Sequence, residues 1–393
     1  MVGNSQVLNR PTTTQASQRS ASSNPRNAHT ISSEHFYVPE VYEAETRVIH
    51  HRVWNYFGHR SRVASAGQYL TGVIAGEPVV AMCGSDGHVR AYSNVCRHRA
   101  GPLVDGEGRR NSLVCRYHGW RYDLEGKLRH APEFENAEGF DPSSICLPRF
   151  RAELWGDLLF VCLDRSAPSL SDYLGDIMTH IPERRLGGLE YERRVTLKTD
   201  CNWKTLLFNG NECYHCGIVH KSSLALSQNA KTHVIEHHGP HWQLARSEMK
   251  EDTSEFRRDS EPYTNFAQTH EVIPTAPDIS EVESRNVYVA QVFPTCWITL
   301  SPNHLVVQRV SPVGPEKTEW IRDYLFSPSD HPDAGEAKDA VVRIRELQAQ
   351  EDVDICQISQ RNLRSVHYDQ GRLSPDAEMG VIRFQENYLN YMA

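Results

Sequence analysis

From Tyr42 to Tyr56 the apolar positions recur at helical spacing and predict an amphipathic helix. From Gln68 to Val161 the pattern changes. Short apolar runs, Val79-Val80-Ala81-Met82 and Leu159-Phe160-Val161 among them, are separated by Gly, Asp and Pro, which predicts a small β domain with many turns. Ser166 to Leu189 reads as a connector with helical content. Further strands are expected at Tyr191–Thr196, Asn286–Gln291 and Leu305–Arg309, and a long helix from Asp333 to Gln360, interrupted only by Gly335. No internal repeat stands out. The pattern as a whole is α+β.

Length and composition narrow the picture. A chain of 393 residues suggests two domains, or one large core with an insertion. Hydrophobic residues at 39% are enough for an ordinary core, so the ten cysteines need not form a disulfide scaffold. A formal charge of −8 argues against nucleic-acid coating as the main task. The first 33 residues hold no Asp or Glu, and 15 of them are Ser, Thr or Asn, so residues 1–35 read as a flexible solvated tail. An Arg- and Ser-rich transit segment is the other reading of that stretch. No apolar run is long enough for a membrane span, and no dinucleotide fingerprint or phosphate-binding loop is present. Any redox chemistry therefore draws on a nicotinamide held by another protein.

Twenty histidines decide nothing by number, but two groups of them have telling positions. In the first, Cys96-Arg97-His98 is followed, after sixteen residues, by Cys115-Arg116-Tyr117-His118. Each loop offers one thiolate and one imidazole. A single zinc accepts such a set, and so does a two-iron, two-sulfide cluster with both cysteines on one iron and both histidines on the other. Gly101, Gly106, Gly108 and Gly119 permit tight loops around sulfide, and Pro102 stiffens one of them. The second group follows Asn202-Trp203-Lys204 and reads Asn209-Gly-Asn-Glu212-Cys-Tyr-His215-Cys-Gly-Ile-Val-His220. Glu212 and His215 share a helical face, whereas His220 needs a break in the helix to reach the same point. Two histidines and one carboxylate form the facial triad of non-haem iron. The acidic run Glu351-Asp352-Val353-Asp354 is the source of the carboxylate. An irregular zinc site from Cys201, Cys213, Cys216 and His220 has poor spacing, and Cys213 and Cys216 read better as small packing residues. His237, His238 and His241 are expected to be packing or surface residues.

The run Cys96-Arg-His-Arg-Ala-Gly-Pro-Leu through Cys115-Arg-Tyr-His-Gly-Trp-Arg-Tyr closely resembles the Rieske motif. Together with the second group, residues 36 to 391 resemble the catalytic α subunit of Rieske non-haem iron oxygenases. The resemblance implies an all-β Rieske [2Fe-2S] domain, over 66–165, inserted near the start of a helix-grip (START-like) catalytic domain. Residues 36–65 then supply that domain's N-terminal helical part, and 166–393 its antiparallel sheet around a long helix. It implies Cys96, His98, Cys115 and His118 as cluster ligands, His215, His220 and Asp352 as ligands of Fe(II), and Asp354 as the alternative to Asp352. It implies a homotrimer in which Glu212 bridges a cluster histidine, His118, of one subunit and His215 of the next. A flavin or iron–sulfur reductase, with or without a ferredoxin, would bring electrons from NAD(P)H, and O2 would be co-substrate. Asn-Glu-Cys-Tyr-His-Cys resembles the branch that oxidises the quaternary ammonium compounds choline, carnitine and glycine betaine. Gly217 replaces that branch's common proline, and Leu206-Leu207-Phe208 lacks its acidic-Asn pair. Such a cation needs aromatic walls, and Trp242, Tyr263, Phe266, Tyr288, Phe293 and Trp297 are the candidates. The expected reaction is N-methyl oxidation or demethylation of a small organic substrate by a cytoplasmic enzyme with no nucleic-acid or membrane partner. The alternatives are a hydroxylase, dihydroxylase or O-demethylase of an aromatic or natural-product substrate, and a non-enzymatic Rieske electron-transfer protein.

Overall fold

Seven short strands separated by glycine turns form the first sheet of the computed structural model, which describes residues 24–221, 223–224, 228–250, 269–276 and 279–393. They are β1 (Asn55–His59), β2 (Gln68–Ile74), β3 (Glu77–Cys83), β4 (Val89–Ser93), β5 (Glu107–Arg109), β9 (Arg149–Trp155) and β10 (Leu158–Cys162). Their order is β1-β10-β9-β4-β3-β2-β5, with every pairing antiparallel. A small sheet of β6 (Leu113–Val114), β7 (Arg121–Tyr122) and β8 (Leu128–His130) stands apart from it. Tyr92, Trp120, Tyr122 and Leu147 pack with Cys96 and Cys115 into one core between the two sheets.

The helix expected from Tyr42 to Tyr56 is shorter. Helix α1 (Pro39–Glu45) widens into a π turn over Thr46–His50, and the chain then becomes β1. Asn55 explains the stop: its amide donates to the carbonyls of His50 (3.0 Å) and Val53 (2.9 Å), satisfying the last turn and bending the chain outward. Tyr56 accordingly lies on β1, opposite Phe160. Of the stretch read as a tail, residues 24–35 lie against the C-terminal region. Ala28 is buried with Leu373 and Val381, and the amides of Thr30 and Ser33 donate to Gly371 and Asp369. Residues 1–23 are outside the described residues.

The second sheet runs β11-β17-β16-β15-β14-β13-β12 and is antiparallel throughout. Its strands are β11 (Glu190–Thr199), β12 (Val234–His238), β13 (Trp242–Glu248), β14 (Asn286–Val292), β15 (Cys296–Leu300), β16 (His304–Gly314) and β17 (Lys317–Phe326). The three strands predicted after the connector fall within β11, β14 and β16. Two short helices occupy the connector itself, at Leu170–Leu174 and Ile177–His180. Between β11 and β12 lie α2 (Trp203–Gly210) and the single turn α3 (Cys216–Val219); after β17 come α4 (Ala334–Asn362) and α5 (Met379–Met392). Helix α4 is the long helix expected from Asp333 to Gln360. Gly335 does not interrupt it; it is the second residue of the helix, in the first turn after Asp333. Ala337, Val341 and Val342 of α4 bury against Val306, Tyr324 and Phe326 of the sheet. Both sheets are clamped together at Asp323, which accepts from Arg194 through both oxygens (2.7 Å each) and from Tyr56 (2.6 Å). The result is an all-β unit joined to a helix-grip unit, the fold class expected.

Candidate active site

The two fingers between the first sheets bring their ligand atoms together in matched pairs. Cys96 and Cys115 are both 3% exposed and interact directly, so burial and the neighbouring sulfur both resist the loss of the Cys96 proton. The His98 and His118 rings lie 4.7 Å apart. Sulfur with sulfur and imidazole with imidazole is the segregation a two-iron cluster asks for. His98 Nδ1 is a buried ring nitrogen with no hydrogen-bond partner, which suits a ligand atom better than a packing residue. The surroundings hold the pairs in place: Tyr122 Oη lies 3.3 Å from Cys96 Sγ and accepts from Arg97 N at 3.0 Å. His98 stacks on Trp120 at 4.9 Å. Gly101 is required by space, because a Cβ there would lie 2.8 Å from Cys115 Sγ.

The second group converges more tightly. Asn202 caps α2 by accepting from Lys204 N (2.9 Å), and the chain leaves the helix at Asn211. His215 starts α3 and His220 ends it with φ −96° and ψ 37°, the break that a five-residue spacing demands. From the far side, α4 delivers Asp352. His215 Nε2 and His220 Nε2 are 3.2 Å apart, and Asp352 Oδ1 lies 3.4 Å and 3.1 Å from them. Ligands about 2.1 Å from one octahedral ion stand about 3.0 Å apart, so an ion about 1 Å above this triangle would reach all three atoms.

Proton positions make the same point. His215 Nδ1 donates to Glu212 Oε1 (2.5 Å) and His220 Nδ1 to Glu351 Oε2 (2.8 Å), so both Nε2 lone pairs face each other and the Asp352 oxygen. Asp352 Oδ1 is buried and accepts no hydrogen bond. Three converging lone pairs repel unless a cation lies among them. Burial lowers the proton affinity of both imidazoles, but carboxylates outweigh it and raise both: Asp352 and Glu212 for His215, Asp352 and Glu351 for His220. A divalent cation benefits from that same negative field. Asp354, the alternative ligand, is exposed and accepts instead from Gln350 (2.8 Å). Cys216 Sγ lies within 4.8 Å of both histidine nitrogens, but it is disulfide-bonded to Cys213 and offers no thiolate. These two cysteines were expected to be packing thiols; their closeness across the turn pairs them.

A cavity of about 160 Å³ opens from the triad between α4 and the concave face of the second sheet, roomy enough for a small organic molecule. Alternate residues wall it: Gln243, Ala245 and Ser247 of β13, Val287, Val289 and Gln291 of β14, and Trp320, Arg322 and Tyr324 of β17. Of the four aromatic candidates among the described residues, Trp297 alone lines it. Phe293 stacks on Tyr391 at 5.2 Å, and Trp242 and Tyr288 also lie outside the cavity. Tyr263 and Phe266 are outside the described residues. Trp320 and Tyr324 are the aromatic walls the sequence reading missed. His233 was missed too; it lines the cavity, bonds Ser247 at 3.1 Å, and is pushed toward its neutral form by burial. His237 and His241 are ring-stacking residues, on His180 and Tyr173.

Residues 186–393 match the family described as ring hydroxylating alpha subunit (catalytic domain), and residues 53–149 match the Rieske [2Fe-2S] domain. The carnitine monooxygenase oxygenase subunit of Escherichia coli is 28% identical, over 92% of this chain and 93% of its own. The glycine betaine monooxygenase oxygenase subunit of Chromohalobacter salexigens is 26% identical, over 93% and 86%. Among solved structures, a quaternary ammonium Rieske monooxygenase in complex with L-carnitine superposes with a TM-score of 0.79 at 25% identity, covering 94% of this chain and 97% of that one.

Proposed function

The chain belongs to the ring-hydroxylating α-subunit family of Rieske oxygenases, and on that premise we propose that its substrate is a small quaternary ammonium compound, oxidised at an N-methyl or adjacent carbon. It is an enzyme, the terminal oxygenase of a Rieske system with a [2Fe-2S] cluster and a mononuclear iron site. The observation that carries the reading is the triangle of His215 Nε2, His220 Nε2 and Asp352 Oδ1 beside a cavity of about 160 Å³. We assign those three residues to the iron, and Cys96, His98, Cys115 and His118 to the cluster. When bound, the iron supplies the activation of dioxygen and the cluster supplies electrons one at a time.

The chain's own residues do the rest. Glu212 and Glu351 fix each histidine in the tautomer that presents Nε2. Ser223 donates to Glu351 Oε2 at 2.5 Å and holds it against His220. The sheet face and α4 wall the cavity and would orient the substrate. The same carboxylates make the iron end attractive to a cationic head group, and Trp297 and Trp320 give it apolar contact. We retain the division into a Rieske domain over 66–165 and a catalytic domain over 166–393, with β1 lent from residues 36–65 to the Rieske sheet.

We infer a homotrimer with electron entry from a reductase, with or without a ferredoxin. In support, Tyr117 at the cluster finger is 55% exposed, and Tyr214 and Ile218 beside the triad are 69% and 74% exposed, unusual for apolar groups without a partner. No described helix is long and apolar enough to cross a membrane. We place the enzyme in the cytoplasm, where Cys83, Cys146, Cys162, Cys201, Cys296 and Cys356, outside the cluster and the Cys213–Cys216 pair, would stay reduced.

The test is reductase-coupled turnover over a panel of quaternary amines and aromatics, with products identified by mass spectrometry. Hydroxylated or demethylated amine, formed in step with oxygen uptake, is the expected result. Product from the aromatics alone would overturn the substrate reading.

A further inference from the structure

We propose that Cys216 is a latent fourth ligand of the metal centre, held back by its bond to Cys213, so that reducing the bond turns an open iron site into a closed thiolate site that prefers zinc. This goes beyond the proposed function and rests on its assignment of His215, His220 and Asp352 to the metal. Of the ten cysteines, two are bonded to each other, and they bracket His215. The Cys216 Sγ and a ring nitrogen of each of His215 and His220 lie within 4.8 Å of one another. Both cysteines line the cavity, so a molecule small enough to enter it reaches the bond.

The turn itself does not depend on that bond. Cys216 N donates to Cys213 O (3.2 Å), Ile218 N and Val219 N to His215 O (2.9 Å each), and His220 N to Cys216 O (3.2 Å). Glu212 Oε2 accepts from the amides of Tyr214 and His215. A bridge over so short a loop also removes little chain entropy. What the bond does change is the donor set, because it withholds a thiolate from a metal that would otherwise bind it.

A tetrahedral ion with nitrogen at about 2.0 Å and sulfur at about 2.3 Å puts the sulfur about 3.5 Å from each nitrogen. Once free of Cys213, Cys216 Sγ has to close in by about 1 Å, which rotation about its χ1 supplies. The set is then two imidazoles, the Asp352 carboxylate and one thiolate. Zinc accepts four such ligands, and the soft thiolate favours it over Fe(II). Without the thiolate, three ligands leave the open positions that non-haem iron uses. The opening step is exchange with an external dithiol. One thiolate of the dithiol attacks Cys213 Sγ, the S–S bond breaks, and Cys216 leaves as a thiolate. The second thiol of the reagent then displaces Cys213, so the dithiol gives up two electrons and becomes a disulfide while the protein pair gains them. Cys213 is the sulfur open to attack, since it is half-buried beside the exposed Tyr214, whereas Cys216 is 5% exposed.

X-ray absorption at the cobalt edge tests this on the full chain with its cluster intact and its mononuclear site refilled with Co(II), because that edge does not register the cluster's iron. A water-soluble phosphine opens the bond, taking oxygen from water as it passes two electrons and two protons to the sulfurs, and is removed before metal is added. The untreated protein should show only nitrogen and oxygen around cobalt, at about 2.1 Å. The reduced protein should show one sulfur at about 2.3 Å, with its affinity for zinc relative to Fe(II) raised at least about tenfold. Cys213→Ser should show the sulfur without reductant, and Cys216→Ser should show none in either state, both with an unchanged Rieske spectrum. Cobalt that stays on nitrogen and oxygen in the reduced protein and in Cys213→Ser, sulfur that persists in Cys216→Ser, or an unchanged preference between zinc and Fe(II) would overturn the latent ligand while leaving the triad standing. Cobalt bound equally well after His215→Ala or Asp352→Ala would refute the metal assignment itself, and the latent ligand with it.

Discussion

Glu351 carries a sharp prediction because its neighbours are few and defined. Its carboxylate accepts from His220 Nδ1 at 2.8 Å and from Ser223 Oγ at 2.5 Å. Glu351→Gln keeps the shape but removes the charge and turns half of the acceptor into a donor. A hydrogen bond to a charged group contributes about 1.5–3 kcal/mol, and about 1.4 kcal/mol is tenfold in an equilibrium constant. The His220 bond sets the orientation and basicity of one proposed iron ligand. Affinity for Fe(II) should therefore fall by about 10- to 100-fold, the range found when a group behind a ligand is lost. Ser223→Ala removes only a neutral donor and should cost less than tenfold. The assay is competition for Fe(II) with a chelator of known affinity, with the Rieske absorbance as the internal control because the cluster fingers are on another sheet. Iron affinity within twofold of the wild type for Glu351→Gln would falsify the coupling between this carboxylate and the metal.

Three further outcomes follow from the same geometry. Asp352→Ala should lose mononuclear iron and retain the Rieske spectrum, whereas Asp354→Ala should keep both, and metal analysis of the two proteins decides between them. Lys204 and Glu45 form a fully buried pair at 2.5 Å, so Lys204→Met should destabilise by about 3–5 kcal/mol, and adding Glu45→Gln should restore more than half of the loss in urea unfolding. Burial, with the Lys204 charge second, pushes His50 down to about 3 and His35 to about 4. The unfolded chain takes up those protons below about pH 6.5 while the folded chain resists, so stability should fall with acidification from about 6.5 toward 4 by about 1.4 kcal/mol per unit for each histidine; urea midpoints that stay flat between pH 7 and 5 contradict this.

The fingers were legible in the sequence because each places its two ligands within four residues, where spacing fixes geometry. His215 and His220 were legible because they lie five apart, close enough for one break in the helix to bring them together. Asp352 was not, since a carboxylate brought from another helix leaves no local spacing, and only resemblance to a family selected it from three neighbouring acids. Glu351 went unread as the partner of His220, although its place beside Asp352 was the available signal. The aromatic walls failed for a simpler reason. Residues 287, 289 and 291 face the cavity, so strand parity turns Tyr288 away, and the same parity turns Trp242 away from the face of Gln243 and Ala245. The helix over Tyr42–Tyr56 failed at Asn55, whose side chain bonds backbone that the pattern of apolar residues does not represent.

Glu212 shows how local bonding limits a long-range role. Its Oε1 accepts from His215 Nδ1, and its Oε2 accepts from the backbone amides of Tyr214 and, at 3.2 Å, His215. Three of the roughly four lone-pair positions of a carboxylate are thus filled within its own chain. The proposed bridge to a cluster histidine of a neighbouring subunit has one position left, on the Oε1 side that already holds His215. That arrangement puts the two imidazoles on one oxygen, so a shift of the neighbour would be felt at His215 directly. Only a carboxylate does this: an amide at 212 would have to give up either the backbone amides or the His215 proton. An Asp would keep the short turn over Tyr214 and His215 but fall one methylene short of the ring. The longer side chain therefore reconciles a local cap with the reach to His215, and the negative charge of Glu212 belongs to the metal loop before it belongs to any interface.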